Sequence, residues 1–132
     1  CVETYATLRF YHKTESPEKV TALLKVEPTK TQVAGSFPNP SAKSRRSSGW
    51  FLRSAGYVES RDVRRHVDWI LDQVEHAESQ IEVLCHQGWR VGVVCYWLSI
   101  GQGGPMLDPA QMIRLVRLNL SCGFDVYYHK GE

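Results

Sequence analysis

Arg9, Tyr11, Arg53, Tyr96 and Tyr127 are the residues whose types and spacing best suit a binding chemistry. Residues two apart in a strand point to the same side. Arg9 and Tyr11 therefore share a face with Thr7, opposite Ala6, Leu8 and Phe10. Arg53, Tyr96 and Tyr127 lie in three further apolar runs that can add to that face, with Val94 and Asp125 beside them. Guanidinium groups and phenol rings on a sheet can stack on nucleobases, grip phosphate, or anchor a protein interface. A second basic group lies between residues 43 and 65. There Lys43, Arg45, Arg46, Arg53, Arg61, Arg64 and Arg65 face only Glu59 and Asp62, while the rest of the chain sets nine basic residues against twelve acidic ones. A basic middle in a chain of net charge +2 favours an acidic surface or a phosphate group near it.

Other chemistries find less support. His12, His66, His76, His86 and His129 with Cys1, Cys85, Cys95 and Cys122 offer metal-ligand types. Only Cys85 and His86 are neighbours, and adjacent helical residues diverge, so no metal and no cofactor is expected. A cysteine nucleophile needs an exposed electropositive setting, whereas Cys85, Cys95 and Cys122 fall at apolar positions and read as packing thiols. Scattered single cysteines without CxxC spacing point to free thiols in a reducing cytoplasm. Gly101-Gln-Gly-Gly is separated from the next helix start by Pro105 to Asp108 and reads as a turn, not a phosphate cradle. An enzymatic site assembled from Arg9, Asp125 and His129 has no motif behind it, so the expectation is a non-enzyme.

The elements that must position these residues are written in the pattern. Tyr5 to His12 alternates with period two and predicts a strand. Ser16-Pro17 predicts a helix start, with Val20, Leu23 and Leu24 as its inward stripe and Pro28 as its stop. Thr29 to Gly35 reads as an extended connection, and residues 36–49, with two prolines, five serines and three basic residues, as a flexible loop. Trp50 to Ser54 resumes a strand. From residue 62 to 87 the period is helical, through Val63, Val67, Ile70, Leu71 and Val74, then Ala77, Ile81 and Leu84. Val91 to Leu98 reads as a central strand. Asp108, Pro109 and Gln111 predict a capped helix that Gly123 would end, before a last strand from Phe124 to Tyr128.

Two strand-helix-strand halves predict an α+β fold of the ferredoxin-like kind. The expected sheet is four-stranded and antiparallel, in the order 4-1-3-2, with residues 62–87 as an inserted helical segment and residues 1–132 as a single domain. At 132 residues one core is the natural size. No run reaches the ~20 apolar residues that cross a bilayer and no leader pattern appears, so a soluble, cytoplasmic chain with no membrane partner is expected.

Ser16-Pro17, Val26-Glu27-Pro28-Thr29, Gly35, Trp50-Phe51-Leu52-Arg53-Ser54, the helix around Val67 to Val74 and Phe124-Asp125-Val126-Tyr127 together resemble a bacterial family, domain of unknown function 4279 (DUF4279). The resemblance covers nearly the whole chain. It implies a small single-domain cytoplasmic protein and brings no activity, cofactor or catalytic residue with it. A break in the second helical segment around Glu75 to Ser79 is expected to carry a proline, and here it does not. The function expected is that of a non-catalytic protein-binding module using the sheet face or the basic middle. By class-level analogy with small bacterial chains of this size, it would be an antidote, or immunity protein, against a toxin. The alternative is a nucleic-acid or phosphorylated-ligand binder on the same Arg/Tyr face and the 43–65 region.

Overall fold

The computed structural model describes residues 1–129. Its elements, in order, are β1 (Glu3–His12), α1 (Glu18–Leu24), β2 (Lys30–Gln32), β3 (Ser48–Arg53), α2 (Val63–Val74), a 3-10 turn (Glu75–Ala77), α3 (Glu78–His86), β4 (Arg90–Ser99), α4 (Pro109–Arg117) and β5 (Ser121–Tyr128). The fold is α+β, with a five-stranded mixed sheet in the order β2-β3-β1-β4-β5. β1 is antiparallel to β3 and β4, β2 is antiparallel to β3, and β5 is parallel to β4.

This arrangement corrects the expected four-stranded antiparallel ferredoxin-like sheet. β1 and β4 are central neighbours as expected, but the outer strands are exchanged. β3 pairs with β1, and β5 with β4. The repeat is also composed differently, because the return strand of α1 is β2, which the sequence pattern presents as mere extended connection. The equivalent units are β1-α1-β2 and β4-α4-β5, each two parallel strands joined by a helix. In the first unit β3 lies between the two strands. It wins that place because Trp50 and Leu52 are large and buried, whereas β2 is three residues with Lys30 and Thr31 exposed, a composition suited to an edge.

Three helical crossovers therefore join parallel strands: β1 to β2 across β3, β3 to β4 across β1, and β4 to its neighbour β5. β1 points opposite to β3 and β4, and its crossover also travels toward the opposite edge. With right-handed connections, these two reversals cancel and every helix falls on one face of the sheet. α2 lies across β1 and packs on α4, α1 packs on α3, and α4 touches β5 while leaving most of that strand's helix-side residues exposed. The inserted segment thus joins the other helices, and the opposite face carries no covering element among the described residues.

One core fills the space between sheet and helices. Ala6, Leu8, Phe10, Trp50, Leu52, Val93, Cys95 and Trp97 from the sheet meet Val20 and Leu24 of α1, Val67, Ile70, Leu71 and Val74 of α2, Ile81 and Leu84 of α3, and Leu115 of α4. Each fully buried aliphatic or aromatic side chain contributes roughly 1.5–3 kcal/mol. Phe10 meets Trp50 edge-on at 5.3 Å, and the Trp50 indole N–H donates to the Thr21 hydroxyl at 3.0 Å, tying α1 to β3. Replacing Trp50 with Ala would remove both contacts and cost about 3–5 kcal/mol.

The helix ends follow local chemistry, with two corrections. The Ser16 hydroxyl accepts from the Glu18 N–H while Pro17 already has helical dihedrals. Asp108 and Gln111 form the capping box of α4. α1, however, ends at Lys25 in the left-handed region (φ 58°), three residues before Pro28, and α4 is followed by a left-handed Asn119 (φ 54°), not by Gly123, which lies inside β5. Asn tolerates that region better than most residues. The break between α2 and α3 is the 3-10 turn, made without proline.

Candidate functional site

The uncovered face is assembled row by row through strand register. Arg9 lies between Phe51 and Gly92, Thr7 between Arg53 and Val94, and Tyr11 between Gly49 and Arg90. Tyr5 is opposite Tyr96, which is opposite Asp125, and Tyr127 stands one row further along β5. All five sheet residues singled out from the sequence, Arg9, Tyr11, Arg53, Tyr96 and Tyr127, are brought to this one face. Tyr5, Phe51, Lys30 and Arg90 belong to it as well and were missed. Their signal was parity, since Tyr5 precedes Arg9 by four residues and Phe51 precedes Arg53 by two.

The aromatic groups are organised as a column. Tyr5 stacks on Tyr96 with ring centroids 4.9 Å apart and planes within 19°. Tyr96 meets Tyr127 at 5.3 Å. The Arg53 guanidinium lies 4.8 Å from the Tyr5 ring centroid, a cation–π contact worth about 0.5–1 kcal/mol. Tyr5 and Tyr96 are thereby each flanked on two sides, and the column offers their ring edges and hydroxyls together with the exposed ring of Tyr127. Desolvation among these rings, then the charge of Glu3, pushes the Tyr96 hydroxyl above the usual phenol range, so at neutral pH it remains a donor.

Beside the column the surface dips on both sides of Arg9, with Gly92 and Gly123 leaving the floor on one side bare. The depression there, of about 470 Å³, is lined by Arg9, Tyr11, Arg90, Gly92 and Ser121 among others. The one on the β2 side, of about 530 Å³, is lined by Thr7, Arg9, Lys30, Gln32, Phe51 and Arg53. Among the described residues Arg9 has one long ion pair, 3.8 Å to Asp125, with both groups partly exposed. Such a pair is worth well under 1 kcal/mol, which leaves the guanidinium available to a ligand. Arg9 and Asp125, two members of the enzymatic arrangement considered with His129, are thus in contact.

The basic 43–65 region does not form one patch. Lys43, Arg45 and Arg46 precede β3, and Arg61, Arg64 and Arg65 follow it, so the six-residue strand separates the two groups by roughly 20 Å. Arg45 donates to the Gln32 side chain at 2.8 Å. Arg64 is bound on both sides, 2.7 Å to Asp62 and 2.9 Å to Asp108, and so links the N-caps of α2 and α4. Its hydrogen bond holds the Asp62 carboxyl below the usual carboxylate range. Lys43, Arg46, Arg61 and Arg65 remain exposed.

Two close pairs of reactive residue types lie on the helix side. The Ser54 hydroxyl is 2.7 Å from His66 Nδ1, and His66 Nε2 is 2.6 Å from the Ser60 carbonyl. A carbonyl only accepts, so Nε2 carries the proton, Nδ1 accepts from the Ser54 O–H, and the Ser54 oxygen accepts the Ala6 N–H at 2.9 Å. Serine beside histidine is the material of a hydrolase, but here Ser54 is 0% and His66 1% exposed and every polar atom is engaged. The pair is a pin between β1, β3 and α2. Cys95 and Cys122 are 3.8 Å apart between their sulfurs. Either thiol can donate across this contact, which lowers the Cys122 thiol and, with burial, raises Cys95. Among the described residues, no three His, Cys, Asp or Glu side chains are grouped to hold a metal, and no helix is long and apolar enough to cross a membrane.

Over residues 2–129 the sequence matches the family described as Domain of unknown function (DUF4279). No curated protein and no solved structure matches it.

Proposed function

The chain belongs to the DUF4279 family, and from that premise we propose that it is a non-catalytic, cytoplasmic binding module that grips another protein through the open face of its sheet. The observation that carries this reading is the tyrosine column with Arg9 and Arg53 at its side. Tyr and Arg are the residues that dominate protein interfaces, and here the rings are held in place by one another before any partner arrives, which reduces the ordering cost of binding. Arg9, Arg53, Lys30 and Arg90 outnumber Asp125 and Glu3 on this face, so the partner surface is acidic. The class-level analogy of an antidote gripping a toxin suits such a surface.

A nucleic-acid platform is the second reading, favoured by the same cations. It is weakened by the flanking of the Tyr5 and Tyr96 rings, because a base needs a free ring face on which to stack. Affinity capture from the native cell lysate, with and without nuclease, separates the two. The expected result is a stoichiometric protein that survives nuclease treatment and is lost with Arg9→Glu or Tyr96→Ala. Retention of nucleic acid that falls steeply with salt would establish the second reading instead. A partner that ignores both substitutions would overturn the assignment of this face.

A further inference from the structure

We propose that β5 and α4 form a self-complementary interface through which two copies of this chain join their sheets edge to edge. The two edges of the sheet are treated differently. At one, β2 is three residues long with Lys30 and Thr31 exposed, a short charged strand of the kind that discourages pairing. At the other, β5 runs eight residues without proline, and its helix-side residues Phe124, Val126 and Tyr128 are 40%, 56% and 70% exposed. A long apolar edge is a template for another strand.

The backbone is set for that role. The His129 N–H donates to the Ser99 carbonyl, so in this parallel pair the odd-numbered backbone groups turn to β4 and those of Phe124, Val126 and Tyr128 turn outward, without a partner among the described residues. α4 extends the surface. Arg114 reaches Asp68, Asp72 and Glu75 from the flank that meets α2, and helical spacing puts Met112 and Val116 on the opposite flank, above the outer edge of β5, with Ile113 beside them. Those three are 51%, 75% and 57% exposed. Given the sizes of these six side chains, about 700 Å² is left uncovered, close to the ~800 Å² per partner of a specific interface.

A second copy fits because the strand complements itself in one favourable register. Antiparallel pairing centred on Val126 sets Val126 against its own symmetry mate and Phe124 against Tyr128, both as hydrogen-bonded pairs. On the open face it sets the Asp125 carboxylate beside a tyrosine hydroxyl, that of Tyr127. A two-residue slip that centres the pairing on Asp125 would oppose two like charges. The two-fold brings α4 against its counterpart, apolar flank to apolar flank. The product is a ten-stranded sheet with both tyrosine columns on one continuous face.

The test is sedimentation at equilibrium combined with backbone hydrogen exchange across protein concentrations. The expected result is a dimer at micromolar concentrations, with the Phe124, Val126 and Tyr128 amides gaining protection as the dimer forms. Val116→Asp, at a position exposed enough to leave the monomer fold intact, should weaken association by tenfold or more and return those amides to fast exchange. Val126→Lys should act alike, with circular dichroism reporting that the fold is kept. A wild type that remains monomeric at tens of micromolar would overturn the proposal. So would a dimer whose Val126 amide stays fast, since its interface would lie elsewhere.

Discussion

Removing one oxygen, by Ser54→Ala, tests the buried pin most directly. The Ser54 hydroxyl serves two partners at once, the Ala6 N–H at 2.9 Å and His66 Nδ1 at 2.7 Å. Ser54 and Ala6 are fully buried and His66 is 1% exposed, so no water replaces the lost group. A buried donor or acceptor left without a partner costs about 1–3 kcal/mol, and two are orphaned, so the substitution is expected to cost about 3 kcal/mol. For a domain of this size that corresponds to a fall of roughly 10 °C in Tm. Ser16→Ala serves as the comparison, since it removes a single exposed cap contact at 3.3 Å, worth about 0.5–1 kcal/mol.

Urea unfolding followed by tryptophan fluorescence measures both, with the slope m checked for constancy. The effect is specific to the pair only if Ser54 and His66 are coupled. In a His66→Ala background, Ser54→Ala should therefore cost on the order of 1–2 kcal/mol less than alone. A loss below about 1 kcal/mol, or strict additivity with His66→Ala, would refute the reasoning that this network fastens α2 to the end of β3.

Three further perturbations have stated outcomes. The Asp62 carboxyl is lowered in the fold by its hydrogen bond from Arg64, so its contribution is present above the unfolded carboxyl value near 4 and is lost as pH falls through the folded value. The wild type should thus lose stability more steeply than Asp62→Asn in acid below about pH 4, and parallel curves of urea midpoint against pH would exclude the effect. Because the contact with the Cys95 thiol lowers the Cys122 thiol, Cys95→Ala should move the alkylation midpoint of Cys122 to higher pH, read by mass spectrometry of the labelled peptide; an unchanged profile argues against the bond. Gly88 holds φ +94° with His12 beside it, so Gly88→Ala should cost about 1–2 kcal/mol through backbone strain, visible as a lower melting temperature.

Several local patterns were written in the chain. Alternation along Tyr5 to His12 placed Arg9 and Tyr11 on one face, Ser16-Pro17 and Asp108 with Gln111 marked two helix starts, and the apolar spacing from residue 62 to 87 marked the inserted helices. Each depends on residues within a few positions of one another, where side-chain period and capping chemistry act directly. What only the tertiary structure decided is who neighbours whom. β2 returned parallel to β1 with β3 between them, β5 became the outer strand among the described residues, and the basic 43–65 run was divided by the length of a strand. Ser54 met His66, and Cys95 met Cys122. Strand order follows from which residues bury the most surface together and from the common hand of three crossovers. Both are properties of the assembled sheet, and no short stretch of sequence carries them.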